Sequence, residues 1–434
     1  MTSTLADPAT GAQPDSGTGT FSDPSSDIRD EIATHSGMPE LVEKIWFHKT
    51  ASAVIDAERC VGCGGCIAAC PSRSIGVGED GKPTLIKMCT GCSACWDYCP
   101  LAGLRVERLG RALASASPLS GGASVPSDIP ADIGSVRASY SAQAANRAGG
   151  AQDGGVVTGL VAALLEAGYI DGAIVTAKVD AFHGRSFLAT SAEEVRAASG
   201  SVYHQAHPLA VLNSPLPPGV QRLAFVGTPC QISVLRALQK YPWPNRATAA
   251  GAVVLTVGLF CTRSFDPDRL EKEVSNLGVD TSQVARVDVR GGELLVRTAG
   301  GEEVLRSPVK EFQGASLAGC DECADFTGLA ADIAVGNLGS EPGRTSVLVR
   351  TVAGEEALRS AGDAISLLPL DDLSLVSLTA ARDRKRAERS SARGIDPEGP
   401  MWISYTEHLA AYSGTRRAPA APPAYRSHHY DVSC

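Results

Sequence analysis

The chain changes texture several times along its length. Residues 1–44 are rich in Ser, Thr, Gly, Pro and Asp and hold almost no large apolar side chains. They lack the burial that would offset the entropy of ordering, so a disordered N-terminal segment is expected there. Residues 45–108 read as a first compact unit in which one cysteine pattern occurs twice, and residues 109–150 turn to Ala, Ser, Gly and Pro, the composition of a linker. From residue 151 the hydrophobic pattern alternates between two periods. Leu160, Val161, Leu164 and Leu165 recur at helical spacing behind Gly154-Gly155, with Gly168 as the stop. Residues 173–176, 222–227 and 252–260 are apolar runs of strand length, and residues 231–240 resume the helical period after Thr228-Pro229. A further α/β stretch reaches Leu370. Residues 381–393, with Arg382, Arg384, Lys385, Arg386 and Arg389, read as a charged helix, either a solvated face or a crossing helix at the domain edge, and residues 396–434 as a Pro-rich tail. The alternation predicts an α/β layer domain over residues 151–395, preceded by a small α+β unit.

Composition narrows the function classes. The 434 residues are 44% hydrophobic and 20% charged, as in globular proteins. The longest apolar run, residues 252–261, is too short to cross a bilayer. With 48 acidic against 39 basic residues the net charge is −9, which disfavours a general electrostatic grip on nucleic acid or anionic lipid. The first residues lack the basic start and apolar core of a secretory signal, so a cytoplasmic, thiol-reducing location is expected.

The 13 cysteines carry the chemistry, because 12 of them fall into three groups and only Cys434 stands apart, as a free thiol. Cys60, Cys63, Cys66 and Cys70 before Pro71 give C-x2-C-x2-C-x3-C-P, and Cys89, Cys92, Cys95 and Cys99 before Pro100 repeat it. Two-residue gaps let three thiolates converge on one cubane, while Gly62, Gly64 and Gly65 let backbone amides approach the sulfurs. The fourth cysteine of each run ligates the other cluster. One [4Fe-4S] centre is therefore assigned to Cys60, Cys63, Cys66 and Cys99, and a second to Cys89, Cys92, Cys95 and Cys70. Structural zinc, which uses cysteines in pairs, gives no reason for three-plus-one spacing. Over about 50 residues the unit resembles the 2[4Fe-4S] ferredoxins, modules that move single electrons.

Cys230 and Cys261 each follow an apolar strand, and Cys320 and Cys323 form a C-x2-C pair. Parallel strands ending in cysteine aim their thiols at one crevice beyond the sheet, which the pair would complete to four ligands. Read from the residues alone, three outcomes stay open: a zinc site, a cluster, or buried cysteines packing as small hydrophobes beside an unrelated pair. Here the sequence resembles the β subunits of coenzyme F420-reducing hydrogenases and the related dehydrogenases. The resemblance is carried, in order, by residues 152–158, 168–173, 199–203, 227–232, 258–261, 320–326 and 331–340. It implies that Cys230, Cys261, Cys320 and Cys323 hold a third [4Fe-4S] cluster beside FAD, and that coenzyme F420 is the substrate. For FAD the candidates are Gly154 and Gly155, whose amides open a helix, Thr158, Gly200, Ser201 and Tyr203, and Gly336, Asn337 and Gly339, where backbone approaches the ring. Lys178, Arg185 and Arg263 are candidate contacts for the phosphate and carboxylates of F420.

The function expected from this pattern is a flavin-dependent iron–sulfur oxidoreductase. It exchanges a hydride with F420 through FAD and single electrons with a redox partner protein or larger oxidoreductase complex. A ferredoxin-dependent reductase of an organic substrate and a flavin-free relay subunit are the alternatives. His183, His204 and His207 read as surface or hydrogen-bonded residues, Asp321, Glu322 and Asp325 as a polar loop that tunes potential or meets a partner, and no catalytic side chain is singled out.

Overall fold

The computed structural model describes residues 46–92, 94–103, 133–240 and 249–391. The expected disordered segment, the tail and Cys434 lie outside the described residues, as does most of the expected linker.

The first unit is small. Helix α1 (Phe47–Thr50) runs into a π-turn, α2 (Gly65–Ala69) follows the first cysteine loop, strands β1 (Ile75–Val77) and β2 (Pro83–Leu85) pair antiparallel, and α3 (Ala94–Asp97) follows the second loop. Gly64, with φ of 79°, starts α2 in the left-handed region, where a side chain would be strained.

The second unit is built on an eight-stranded sheet. It begins with β3 (Ala138–Ala144), α4 (Val156–Glu166), β4 (Gly172–Lys178), β5 (Gly184–Ala189), α5 (Ala192–Ala197), β6 (Leu223–Gly227), α6 (Pro229–Lys240), β7 (Val253–Leu259) and α7 (Pro267–Asn276). A separate antiparallel sheet of β8 (Val284–Arg290), β9 (Glu293–Thr298) and β10 (Glu303–Pro308) comes next. The chain then returns through β11 (Ile333–Gly336), β12 (Thr345–Val349), α8 (Val352–Ala361), β13 (Ile365–Pro369) and α9 (Ser374–Ser391). The order is β13-β3-β12-β11-β7-β6-β4-β5. The four central strands β11, β7, β6 and β4 are parallel, so their carboxyl ends share one edge. The outer strands are antiparallel, and the domain is a mixed α/β structure.

One part of the expected organisation is corrected. Residues 138–144, placed in the linker, form β3, paired with both β12 and β13. The segment alternates small residues and polar ones, Ala-Ser-Tyr-Ser-Ala-Gln-Ala, and so carries no large apolar signal although Ala142 and Ala144 are buried. Helices α4 and α8 cover one face of the sheet through Leu160, Leu164 and Ala357. The other face is covered by α6 and by the first unit itself: Val61, Ala68, Trp96 and Leu101 share a continuous core with Leu209, Phe225, Ile232 and Val234. The ferredoxin-like unit is thereby a layer of the fold. Among the described residues no helix is long and apolar enough to cross a membrane.

Candidate functional site

The twelve described cysteines are free of disulfides, and Cys60, Cys63, Cys92, Cys99, Cys230 and Cys320 lie in or against the molecule's shared core. In the first unit, tight turns aim amides at sulfur: Gly62 N–H donates to Cys60 Sγ at 3.5 Å, Gly65 to Cys63 at 3.4 Å, Ser74 to Cys70 at 3.2 Å and Gly91 to Cys89 at 3.3 Å. Cys60, Cys63, Cys66 and Cys99 line a single cavity with Val54 and Leu101. The Cys92 thiol is close enough to feel Cys70 and Cys89. The structure thus brings together the two three-plus-one sets. Burial pushes the Cys63 and Cys66 thiols well above their ordinary range, and Cys95 and Cys99 up to about 12. Thiols held that high become thiolates only against a compensating cation, so the donor set fits iron–sulfur ligation.

The third set forms at the carboxyl edge of the parallel strands. Gly227 and Gly258 are register partners on β6 and β7, so Cys230 in the first turn of α6 and Cys261 just past β7 face the same space. Cys320 and Cys323 sit on the turn Ala318–Glu322 and just after it, tied down by Leu317 N–H to Ser264 O at 3.0 Å. Burial first, and then the neighbouring thiols of Cys320, Cys230 and Cys323, push Cys261 well above the ordinary range. The four cysteines are therefore gathered. Thr228 and Cys230 share a hydroxyl–thiol contact of 3.2 Å, and Gln205 joins Thr228, Gln231 and Ser264 in a buried network behind it.

The third set also reaches the first. Cys63 feels Cys230 more strongly than its own loop neighbour Cys60, after burial itself. Arg59, beside Cys60, makes a two-point ion pair with Glu322, beside Cys323, at 2.7 and 2.8 Å, with both side chains fully buried. The same guanidinium donates to Ala53 O and Leu101 O. His207, with φ of 50°, donates its N–H to Gly62 O and contacts Gly81 O through Nε2 at 2.7 Å.

The structure gives the polar residues definite partners. The acidic residues of the C-x2-C loop are all engaged internally: Glu322 by Arg59, Asp321 by Arg263 at 3.0 Å, and Asp325 by the Gly328 and Leu329 amides. Of the two readings of helix α9, the structure takes the crossing helix rather than the solvated face. Asp383 and Arg384 are buried, and Arg386 reaches Thr262 O and Cys320 O, which clamps the cysteine loop. His183 stays at the surface between Asp180 and Asp268, and His204 Nδ1 accepts from Gly184 N–H.

The flavin candidates divide. Gly155, with φ of 67°, caps α4 as expected, but its N–H donates to Gln152 O, and Gly154 N–H donates to Thr345 Oγ1. These two amides are spent within the protein, while the first turn beyond them, which contains Thr158, has no side-chain cap. Gly336 is packed beneath the Phe260 ring, and Gly339 (φ 99°) packs near Val376, so both are needed for close packing within the chain. Ser201, Tyr203 and Asn337 do converge, around the Val289 backbone: Tyr203 OH accepts from Val289 N–H at 2.7 Å, Asn337 Nδ2 and Gln152 Nε2 donate to Val289 O, and Ser201 donates to Gln152. Burial pushes the Tyr203 hydroxyl up to about 12, so it stays protonated. Gly200, with φ of 117°, leaves room for Lys178. Of the three basic candidates, Lys178 lies at the end of β4 beside this cluster, Arg185 lies over Phe187, and Arg263 is committed to Asp321.

Comparison with known proteins agrees with this arrangement. The family model "Coenzyme F420 hydrogenase/dehydrogenase, beta subunit N-term" matches residues 139–213, its C-terminus counterpart residues 220–372, and the 4Fe-4S dicluster domain residues 52–100. An uncharacterized protein of Methanocaldococcus jannaschii is 29% identical over 73% of this chain and 87% of its own length. The coenzyme F420 hydrogenase subunit beta of Methanothermobacter thermautotrophicus is 32% identical over 56% of this chain and 88% of its own. A chain of the F420-reducing [NiFe] hydrogenase complex from Methanosarcina barkeri superposes with a TM-score of 0.56 at 27% identity, covering 61% of this chain and 95% of that one. By sequence and by fold alike, this chain belongs to the coenzyme F420 hydrogenase/dehydrogenase beta subunit family, with a 4Fe-4S dicluster domain built into its N-terminal half.

Proposed function

We propose that the chain carries electrons between coenzyme F420 and a partner redox protein or larger oxidoreductase complex, with FAD as the converter and three [4Fe-4S] clusters as the path. Cys60, Cys63, Cys66 and Cys99 would hold one cluster, Cys89, Cys92, Cys95 and Cys70 a second, and Cys230, Cys261, Cys320 and Cys323 the third. A bound flavin supplies the exchange between a two-electron hydride and single electrons that clusters cannot perform alone. The chain's own residues position and insulate. Amides of Gly62, Gly65 and Gly91 donate to ligand sulfurs, which stabilises added negative charge. The apolar lining of Val54 and Leu101 keeps water from the first set.

The observation that carries this reading is that Cys63 lies in, and Cys230 packs against, one buried core, with the Arg59–Glu322 ion pair joining the cysteine loops of the two units. The names of the relatives supply F420 as the coenzyme. The test is anaerobic titration of the purified protein with reduced F420, following flavin bleaching and then iron–sulfur absorbance. About twelve irons and one flavin per chain, reduced in that order, are expected from three cubanes and one converter. Iron without flavin, or flavin indifferent to reduced F420, would remove the hydride claim.

A further inference from the structure

The second cysteine loop of the first unit is bordered by large apolar side chains that the core does not take up. Met88, immediately before Cys89, is almost fully exposed, and Ile86 is exposed beside it. Ile86 lies over Gly76, where a Cβ would meet its Cγ2 at 2.8 Å. Trp46, also exposed, lays its ring on the loop itself: a Cβ on Gly91 would meet Trp46 Cε2 at 2.8 Å. Within that loop Cys89 and Cys92 are only half-buried. Single exposed apolar side chains are ordinary, but a methionine, an isoleucine and a tryptophan around one ligand loop form the apolar centre of a contact surface.

The rim of this surface is basic. Lys87 stands between Ile86 and Met88, and Arg73 precedes Ser74, whose hydroxyl donates to Met88 O at 2.7 Å and whose carbonyl accepts from Ile86 N–H at 2.9 Å. Both cations are exposed, and neither makes an ion pair among the described residues. Residues 71–76 and 84–92 contain no acidic side chain. The acids of the hairpin, Glu79 and Asp80, lie in its turn, at the far end of the ladder from the Ile75–Leu85 pair, where Gly81 O meets His207 of the second unit. The corner is thus opposite in sign to the chain, whose net charge is −9. An acidic partner is repelled by the body of the molecule and attracted only within about 10 Å of this corner at 0.1 M salt, so the orientation that meets the Cys89 loop is selected.

We propose that this corner is the docking face for an acidic one-electron carrier protein of the ferredoxin kind, with Met88, Ile86 and Trp46 as the apolar centre and Arg73 and Lys87 as the guiding charges. The exchange moves one electron and makes or breaks no bond: the cluster of the Cys89 set gains what the carrier loses, or the reverse. That the Cys89 set is the outer end of the path rests on the function proposed above; the apolar face and its basic rim do not. A single loop and a hairpin edge suit a transient redox contact rather than a permanent assembly.

The test uses the full chain, purified anaerobically, as wild type, as Ile86→Asp with Met88→Asp, and as Arg73→Glu with Lys87→Glu. Calorimetry measures binding of an acidic plant-type [2Fe-2S] ferredoxin and, as the opposite charge, of basic cytochrome c. Each double variant should bind the ferredoxin about tenfold more weakly with iron per chain unchanged, and wild-type affinity should fall by about as much between 0.1 and 0.5 M salt. Cytochrome c should bind the charge-reversed variant at least as well as it binds wild type. Ferredoxin binding that is absent from wild type or equal in all three proteins, or a wild type that prefers cytochrome c, would overturn the proposal. So would unchanged ferredoxin binding when Ile86→Asp with Met88→Asp splits a dimer, which gives the face to a second copy, or exposes residues 1–45 to protease, which gives it to the chain's own N-terminal segment. The two readings fail separately: a wild type without iron removes the function proposed above and leaves calorimetry to decide the face, whereas a full iron count with no ferredoxin binding removes the face alone.

Discussion

Arg59 and Glu322 stand 263 positions apart, and each is the immediate neighbour of a candidate cluster ligand. Nothing in the local sequence marks Arg59, and Glu322 reads there only as one acid of a polar loop. Cysteine spacing is legible because ligation is local, three thiols in one short loop, whereas an ion pair between distant loops depends on how two units dock. Removing one partner leaves the other charged and fully buried, which costs about 3–5 kcal/mol, while replacing both with apolar groups is often close to neutral. Arg59→Met and Glu322→Gln are therefore each expected to lower the unfolding free energy by several kcal/mol in anaerobic denaturant titration, and Arg59→Met with Glu322→Leu to recover most of it. Equal losses in the double variant and the sum of the singles would show that the two side chains do not act as a pair.

Among the elements, those with large apolar side chains were legible. α4, β4, β6, α6 and β7 fall within a few residues of where the hydrophobic periods place them. The strand β3 was misread because it buries Ala and Ser, which carry little signal, whereas charge left two readings open for helix α9, and the burial of Asp383 and Arg384 selects the crossing helix. That burial has a consequence for pH. Desolvation raises the Asp383 carboxyl to about 6, against the pull of Arg386 at 2.7 Å. A carboxyl whose folded value lies above its unfolded one favours the folded state most while it is protonated, below about 4, and that advantage is lost as pH rises through about 6. Relative to Asp383→Asn, the wild type should thus lose up to about 2–3 kcal/mol between pH 4 and pH 7. Anaerobic melting temperatures of the two proteins across that range provide the check. A difference that is flat with pH, or that grows in the wild type's favour toward neutrality, would show Asp383 ionised throughout.

For the whole molecule, the decisive feature is that the ferredoxin-like unit is packed as a layer over the sheet. Composition suggested two units joined by a linker; the shared core and the Arg59 ion pair put the three cysteine sets in a fixed sequence instead. Cys63 and Cys230 pack in the shared core, and the Cys89 set ends beside Met88 and Ile86, which are 89% and 64% exposed. In the path proposed above the order is the Cys230 set, the Cys60 set and the Cys89 set, the last lying beside the exposed Met88. This order makes a graded prediction. Serine is a poor substitute for a soft thiolate, so each Cys→Ser change should remove one cluster, about four irons per chain. With reduced F420 as the donor, Cys92→Ser should leave two reducible clusters, because the break lies at the far end. Cys63→Ser should leave one, although two are still assembled, because the far cluster is cut off from the supply. Cys230→Ser should leave none reduced, with the flavin reduced and unable to discharge. Dithionite, which reaches exposed clusters without the flavin, should reduce the far cluster in all but Cys92→Ser. Low-temperature spin quantitation of each variant under both reductants reads the number directly. If Cys63→Ser and Cys92→Ser retain the same number of F420-reducible clusters, the sets are not connected in the order that the packing gives them.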